Sequence, residues 1–184
     1  MRVIAGQMGG RRLFSVKGME TRPTADRVKE ALFNVLAHRV IDARCLDLFA
    51  GTGSLGIEAL SRGAKEVLWI EKDRRAYEII QKNLQMLKLQ ERGKIIQEDV
   101  FRACNRLKDA GESFDLIFAD PPYHKALLPA LLEQLPKGLL RENGTIVLES
   151  HRDEKVPYQV GLLEKKREDR YGDTVLHYYQ QEEM

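Results

Sequence analysis

Two cysteines in 184 residues leave no room for a disulfide scaffold. Cys45 sits in an apolar strand-like run and Cys104 in a helix-like one, so both are expected to be buried free thiols of a cytoplasmic protein. Long apolar runs are missing as well. Stretches such as Leu116 to Ala119 fall far short of the roughly 20 residues needed to cross a bilayer, so no membrane role is expected. The amino end has one early arginine and only a short apolar run before Gly6, which is not the pattern of a secretory leader. Six prolines and 14 glycines, with 43% hydrophobic residues, exclude collagenous and disordered classes. His38, His124, His151 and His177 lack metal-ligand spacing with each other or with the cysteines, so no metal site is expected. The single tryptophan, Trp69, reads as core.

What is present is a chain of one-domain length with an uneven distribution of charge. Residues 1–44 hold nine Lys/Arg against four Asp/Glu, an excess of five positive charges, and the rest carries a net charge of −3. A basic segment of about 43 residues in front of a mildly acidic body points to contact with a polyanion, of which nucleic acid is the commonest. Arg11, Arg12, Arg22 and Arg27 are the expected phosphate contacts.

From residue 44 to residue 184 short apolar strands alternate with amphipathic helices, the pattern of a doubly wound α/β sheet. Strands are predicted at Cys45–Phe49, Glu66–Ile70, Ile95–Gln97, Phe114–Ala119 and Thr145–Glu149. Helices are predicted at Leu55–Arg62, Arg74–Leu87, Val100–Ala110 and Ala126–Leu135. Two segments stand outside that alternation. Arg2–Ala5 and Arg12–Val16, separated by Gly9-Gly10, suggest a small β-ribbon, followed by a helix over Ala25–His38 capped by Thr24. Near the other end, Leu163–Glu168 and Thr174–Gln180 flank Tyr171-Gly172-Asp173, which predicts an antiparallel hairpin on one sheet edge.

The segment Asp47-Leu48-Phe49-Ala50-Gly51-Thr52-Gly53-Ser54-Leu55-Gly56 ends a strand and opens a helix with the spacing G-x-G-x-x-G. Such a loop lets a ligand approach the backbone at the switch point of a doubly wound sheet, and alone it fits a nicotinamide dehydrogenase as well. Asp47 favours a different cofactor. At the strand end its carboxylate pairs with the cationic amino group of a methionine moiety and repels a pyrophosphate. Glu71, at the end of the next strand, is placed to accept from ribose hydroxyls. Asp99 is placed to accept from an adenine amine or to cap the following helix, with Val100 as the apolar neighbour. The expected S-adenosylmethionine site thus comprises Asp47, Phe49, Gly51, Thr52, Gly53, Gly56, Glu71, Asp99 and Val100.

The fourth strand runs into Asp120-Pro121-Pro122-Tyr123. The prolines fix two φ angles and bring no N–H, so the Asp120 carboxylate and the Pro121 carbonyl stand as rigid acceptors above the sheet. Such a pair suits a planar exocyclic amine, whose lone pair it turns toward an incoming methyl group, with Tyr123 stacked on the attached base for roughly 1–3 kcal/mol. Asp120, Pro121 and Tyr123 are the expected catalytic residues. Guanine N2, adenine N6 and a protein glutamine all present such an amine, and the corner alone does not choose among them. Tyr171 is placed either to touch RNA or to pack the hairpin turn.

The Asp-Pro-Pro-Tyr corner resembles that of the amino methyltransferases. With Arg2-Val3-Ile4-Ala5-Gly6, Gly10-Arg11-Arg12-Leu13, Thr21-Arg22-Pro23-Thr24, Lys29-Glu30-Ala31-Leu32-Phe33-Asn34 and Tyr171-Gly172-Asp173-Thr174, nearly the whole chain is similar to the bacterial small-subunit ribosomal RNA guanine-N2 methyltransferases, RsmD type. The resemblance implies a Rossmann-like methyltransferase sheet. It also implies a guanine of 16S ribosomal RNA as acceptor, in the small subunit or its assembly intermediate, and cytoplasmic localisation.

Overall fold

The fold is taken from a computed structural model that describes residues 1–16, 23–123, 127–135 and 138–181, with the side chains of Pro23 and Thr24 left out. Arg22 and the capping side chain expected at Thr24 lie outside the described residues. Eight strands form one sheet in the order β3-β2-β1-β4-β5-β8-β7-β6. The parallel part comprises β1 (Arg44–Leu48), β2 (Glu66–Ile70), β3 (Gly93–Ile96), β4 (Phe114–Ala119) and β5 (Leu140–His151). The antiparallel part, β6 (Gln159–Val160), β7 (Leu163–Tyr171) and β8 (Thr174–Gln181), joins through β8 to β5.

Alternation along β1 explains the layers. Cys45 packs into one apolar cluster with Trp69, Phe118 and residues of α1 (Pro23–Leu36), α2 (Ser54–Ser61) and α3 (Arg74–Leu87). Leu46 and Leu48 point to the opposite cluster, filled by α4 (Val100–Asp109) and α5 (Leu128–Gln134). Asp73 caps α3 through the Ala76 amide at 3.0 Å, and Asp99 caps α4 through the amides of Phe101 and Arg102 at 3.0 and 3.3 Å.

Several expected boundaries shift. The first helix ends at Leu36, two residues early, because Ala37 turns to a φ of +46° and starts a 3₁₀ turn over Ala37–Val40. The fifth strand runs from Leu140 to His151, well beyond Thr145–Glu149, since it is paired with β4 on one side and β8 on the other. The amino-terminal ribbon shrinks to one bridge between Arg2 and Arg12. Val3, Gly10 and Leu13 still donate across it, but other backbone donors go elsewhere: Ile4 and Ala5 donate to the Glu58 carboxylate at 2.8 and 3.0 Å, and Phe14 donates to Asn83 Oδ1 at 2.8 Å.

That diversion makes the basic arm part of the core. Val3 and Leu13 are buried in the same cluster as Trp69. Glu58, fully buried in α2, also accepts from Arg62 Nε at 2.8 Å and lies 3.7 Å from Lys29 Nζ. Lys29 in turn donates to the Arg2 carbonyl at 2.6 Å and to Ser54 Oγ at 2.8 Å. Burial lowers the Lys29 pKa, and Glu58 opposes that effect. The arm then hugs the end of α2 so closely that a Cβ at Gly6, where φ is +85°, would lie 2.0 Å from the Ser61 carbonyl oxygen.

Removing one member of such a buried set leaves the others as uncompensated charge. Glu58→Ala is therefore expected to lose roughly 3–5 kcal/mol in urea unfolding, with the amino-terminal amides losing hydrogen-exchange protection first. A loss under about 1 kcal/mol would show that the cluster does not hold the arm.

Candidate functional site

Neighbouring strands β1 and β4 send the chain in opposite lateral directions, toward β2 and toward β5. The crevice above their carboxyl ends is where doubly wound sheets bind ligands. A cavity of about 830 Å³ opens there, lined by residues after β1 (Asp47 to Thr52), after β4 (Asp120, Tyr123), at the end of β5 (Glu149, His151), by α1 and by the β7–β8 turn.

Asp47 is buried at the end of β1, where its Oδ2 accepts from the Gly56 amide at 3.0 Å. Burial, aided by the Glu71 carboxylate, pushes its pKa up to about 8, against the Gly56 amide and the Trp69 indole. Burial thus favours the neutral form of Asp47. The glycine loop rests on Glu71, whose two carboxylate oxygens accept from the amides of Gly51 and Asp73 at 2.7 and 2.8 Å.

Asp120 lines the cavity and is exposed to it, yet is ringed by protein. The resulting desolvation, with the carboxylates of Glu149 and Asp47, raises its pKa well above the carboxylate range. Pro121 is buried beside it, while the Tyr123 hydroxyl donates to Glu149 Oε1 at 2.6 Å. The Tyr123 ring lies 5.6 Å from that of His151. Burial raises the Glu149 pKa, and the Tyr123 hydrogen bond opposes the rise.

Of the expected cofactor residues, Asp47, Phe49, Gly51 and Thr52 line the cavity, and Gly53, Gly56, Glu71, Asp99 and Val100 do not. Gly56 has a packing reason instead: a Cβ there would lie 2.5 Å from the Trp69 indole nitrogen, so glycine lets α2 sit on β2. Asp99 is engaged as a helix cap, and Val100 is in the core beneath α4. Asp120, Tyr123 and Tyr171 meet in the cavity. Arg27 joins Tyr171 in a smaller adjoining hollow of about 420 Å³ between α1 and the hairpin turn. Arg11 and Arg12 are exposed on the arm and line neither.

The sequence reading missed Glu149, Lys29 and Asp26 as cavity residues. A signal existed for Glu149: it ends the fifth predicted strand, on the same edge of the sheet as Asp47 and Asp120. With it, the lining holds five carboxyl side chains, of which Asp26 and Asp173 are paired with Arg2 and Arg152 at 3.3 and 3.2 Å, while Asp47, Asp120 and Glu149 face one another at the strand ends and the one lysine is already engaged. Such a wall suits a cationic ligand and opposes a pyrophosphate.

Comparison with known proteins agrees with this geometry. A family model described as Conserved hypothetical protein 95 matches residues 1–180. Ribosomal RNA small subunit methyltransferase D of Escherichia coli K12 is 37% identical over 183 residues, covering 99% of this chain and 90% of the relative. The solved structure of yhhF from Escherichia coli superposes with a TM-score of 0.88 at 36% identity, covering 100% of this chain and 99% of the other. A SAM-dependent methyltransferase from Agrobacterium tumefaciens shares the fold at a TM-score of 0.66 and 19% identity, over 88% of this chain and 63% of that one.

The state of Asp47 has a measurable consequence. In the unfolded chain its carboxyl loses the proton near pH 4, whereas in the folded protein it holds it to about 8. The folded state binds the extra proton across that window, so this group makes stability fall as pH rises through it. Urea unfolding between pH 5 and 8 should show Asp47→Asn losing less stability than the wild type. Parallel profiles would refute the assignment.

Proposed function

The chain belongs to the ribosomal RNA small subunit methyltransferase D family, and on that premise we propose that it methylates the exocyclic N2 amine of a guanine in 16S ribosomal RNA. The observation that carries the reading is the meeting of Asp120 and Tyr123 with the glycine loop across one acidic cavity. S-adenosylmethionine supplies the electrophilic methyl group when bound. The cavity fits it in size and sign, and Asp47 is a buried carboxyl that a ligand's ammonium group would return to its ionised form. Asp47, Phe49, Gly51 and Thr52 would hold it, with Glu71 fixing the loop through the Gly51 amide.

The chain's own work is alignment. Asp120 and the Pro121 carbonyl accept the two amine hydrogens, which turns the nitrogen lone pair toward the methyl donor. Tyr123 packs on the base. Desolvation, Glu149 and Asp47 favour the neutral form of Asp120, and a bound cationic cofactor favours the ionised one, which as a strengthened base is suited to take the proton that the amine sheds after methylation. Alignment of this kind contributes up to roughly 7–11 kcal/mol of barrier reduction. The carboxyl groups of Asp47, Asp120 and Glu149 at the strand ends also disfavour the dehydrogenase reading of the glycine loop.

Guanine N2 inside a helix is shielded by pairing and stacking, so the target base is unpaired or flipped out, at a cost of a few kcal/mol. Exposed Arg11 and Arg12 on the clamped arm, and Arg27 beside Tyr171, offset that cost through phosphate contacts around the base.

Small subunits from a strain lacking the enzyme, incubated with the protein and labelled S-adenosylmethionine, should yield labelled N2-methylguanosine on digestion of the RNA. Label in N6-methyladenosine or in a protein would overturn the substrate assignment. Asp120→Ala is expected to cut transfer at least roughly a hundredfold while calorimetry shows cofactor affinity within a few-fold of wild type. Retained turnover would move the chemistry elsewhere. Arg11→Glu with Arg12→Glu should weaken subunit binding and flatten its salt dependence by nearly one unit of slope per lost phosphate contact. An unchanged slope would remove these arginines from the interface.

A further inference from the structure

Resting on the guanine reading above, we propose that Glu149 selects the base, its carboxylate accepting the N1–H of guanine while Asp120 and the Pro121 carbonyl hold the N2 amine. The placement comes from the sheet. Ala119 of β4 pairs with Leu148 of β5 in parallel register, so Asp120 and Glu149 are the next residues on adjacent strands, at a strand spacing of about 4.8 Å. Both line the same cavity, and the Glu149 carboxylate acts on Asp120 through space.

The Watson–Crick edges of the two purines differ at the atom beside the amine. Guanine has N1–H, a donor, next to its N2 amine, whereas adenine has N1, a bare acceptor, next to its N6 amine. A row of acceptors made of the Pro121 carbonyl, Asp120 and Glu149 satisfies the three hydrogens on that side of guanine. Against adenine, one carboxylate faces a lone pair. Sites built to bond a polar hydrogen reject the analogue that lacks it far more strongly than apolar pockets reject a change of size.

Tyr123 sets up this contact. Its hydroxyl donates to Glu149 Oε1 at 2.6 Å, which holds the carboxylate in place and favours its ionised, accepting form. Glu149 thus discriminates between bases rather than activating the amine, and a substitution there should alter the choice of base more than the affinity for cofactor.

The test uses small subunits reconstituted with 16S RNA carrying either guanine or 2-aminopurine at the position that becomes methylated. 2-Aminopurine keeps the N2 amine but presents N1 as an acceptor. The wild-type protein is expected to favour guanine at least tenfold in kcat/KM. In Glu149→Gln the Tyr123 hydroxyl still donates to the amide oxygen, which turns the NH₂ toward the base. The preference should therefore fall at least tenfold or reverse. Binding of the 2-aminopurine subunits, read by its fluorescence in the presence of S-adenosylhomocysteine, should tighten in parallel. Calorimetric affinity for S-adenosylmethionine within threefold of wild type shows that the variant is folded. An unchanged preference, or an equal loss on both bases, overturns the proposal. Failure of the guanine reading itself is seen separately, as label in another nucleoside with the wild-type protein and unmodified subunits.

Discussion

Everything above the sheet depends on a negative charge that has no access to water. Glu58 lies in the middle of α2 with its carboxylate satisfied by the amides of Ile4 and Ala5, by Arg62 and by the nearby Lys29 ammonium. A buried ion persists only when its partners are complete, so the presence of this one requires the arm, α1 and α2 to come together at the same time. Lys29 carries the constraint onward to Ser54, the first residue of α2 and the end of the glycine loop. The geometry of the cofactor loop and the placement of the basic arm are consequences of one hydrogen-bonded cluster.

A second constraint acts inside the cavity. The carboxyl groups of Asp47, Asp120 and Glu149 converge there from the ends of β1, β4 and β5, and burial raises the pKa of all three, helped at Asp120 by its two neighbours. The site stores unfavourable electrostatics that a positively charged ligand relieves. The structure accepts that cost because the strand ends bearing Asp47 and Asp120 are anchored between two apolar clusters.

The alternating strands and helices were legible because hydrophobic periodicity reports burial directly. Glu66–Ile70, Arg74–Leu87 and Phe114–Ala119 have the limits expected of them. The glycine loop and the Asp120 corner carried local signals, as backbone chemistry and proline always do. Glu58 carried none. An acid within a short helix reads as a solvent-facing residue, and its burial depends on an arm 53 to 54 positions away. For the same reason residues 1–16 looked like an appended ribbon, although the amides of Ile4, Ala5, Gln7, Met8 and Phe14 donate to α2 and α3. Gly56 was assigned to the cofactor by spacing alone, and the contact that explains it, the Trp69 indole, is a tertiary one. The place of Glu149 at the end of the fifth predicted strand was legible, but its position beside Asp120 follows only from the pairing of β5 with β4.

Asn83 joins the arm to the far side of the same loop, accepting from the Phe14 amide and donating to the carbonyls of Phe14 and Thr52. Those partners are separated by 69 and 31 positions along the chain. During translation, residues 1–16 leave the ribosome well before Asn83 exists, and closing so long a loop gains nothing until α3 can bury its apolar face. The first residues of the arm have their partners in α2, at Glu58 and Ser61, whereas Phe14 has none in α3 until Asn83 is made. Asn83 then ties that end of the arm to the Thr52 carbonyl of the glycine loop. The end of the basic arm and the glycine loop therefore share one side chain, so the order of either depends on the other.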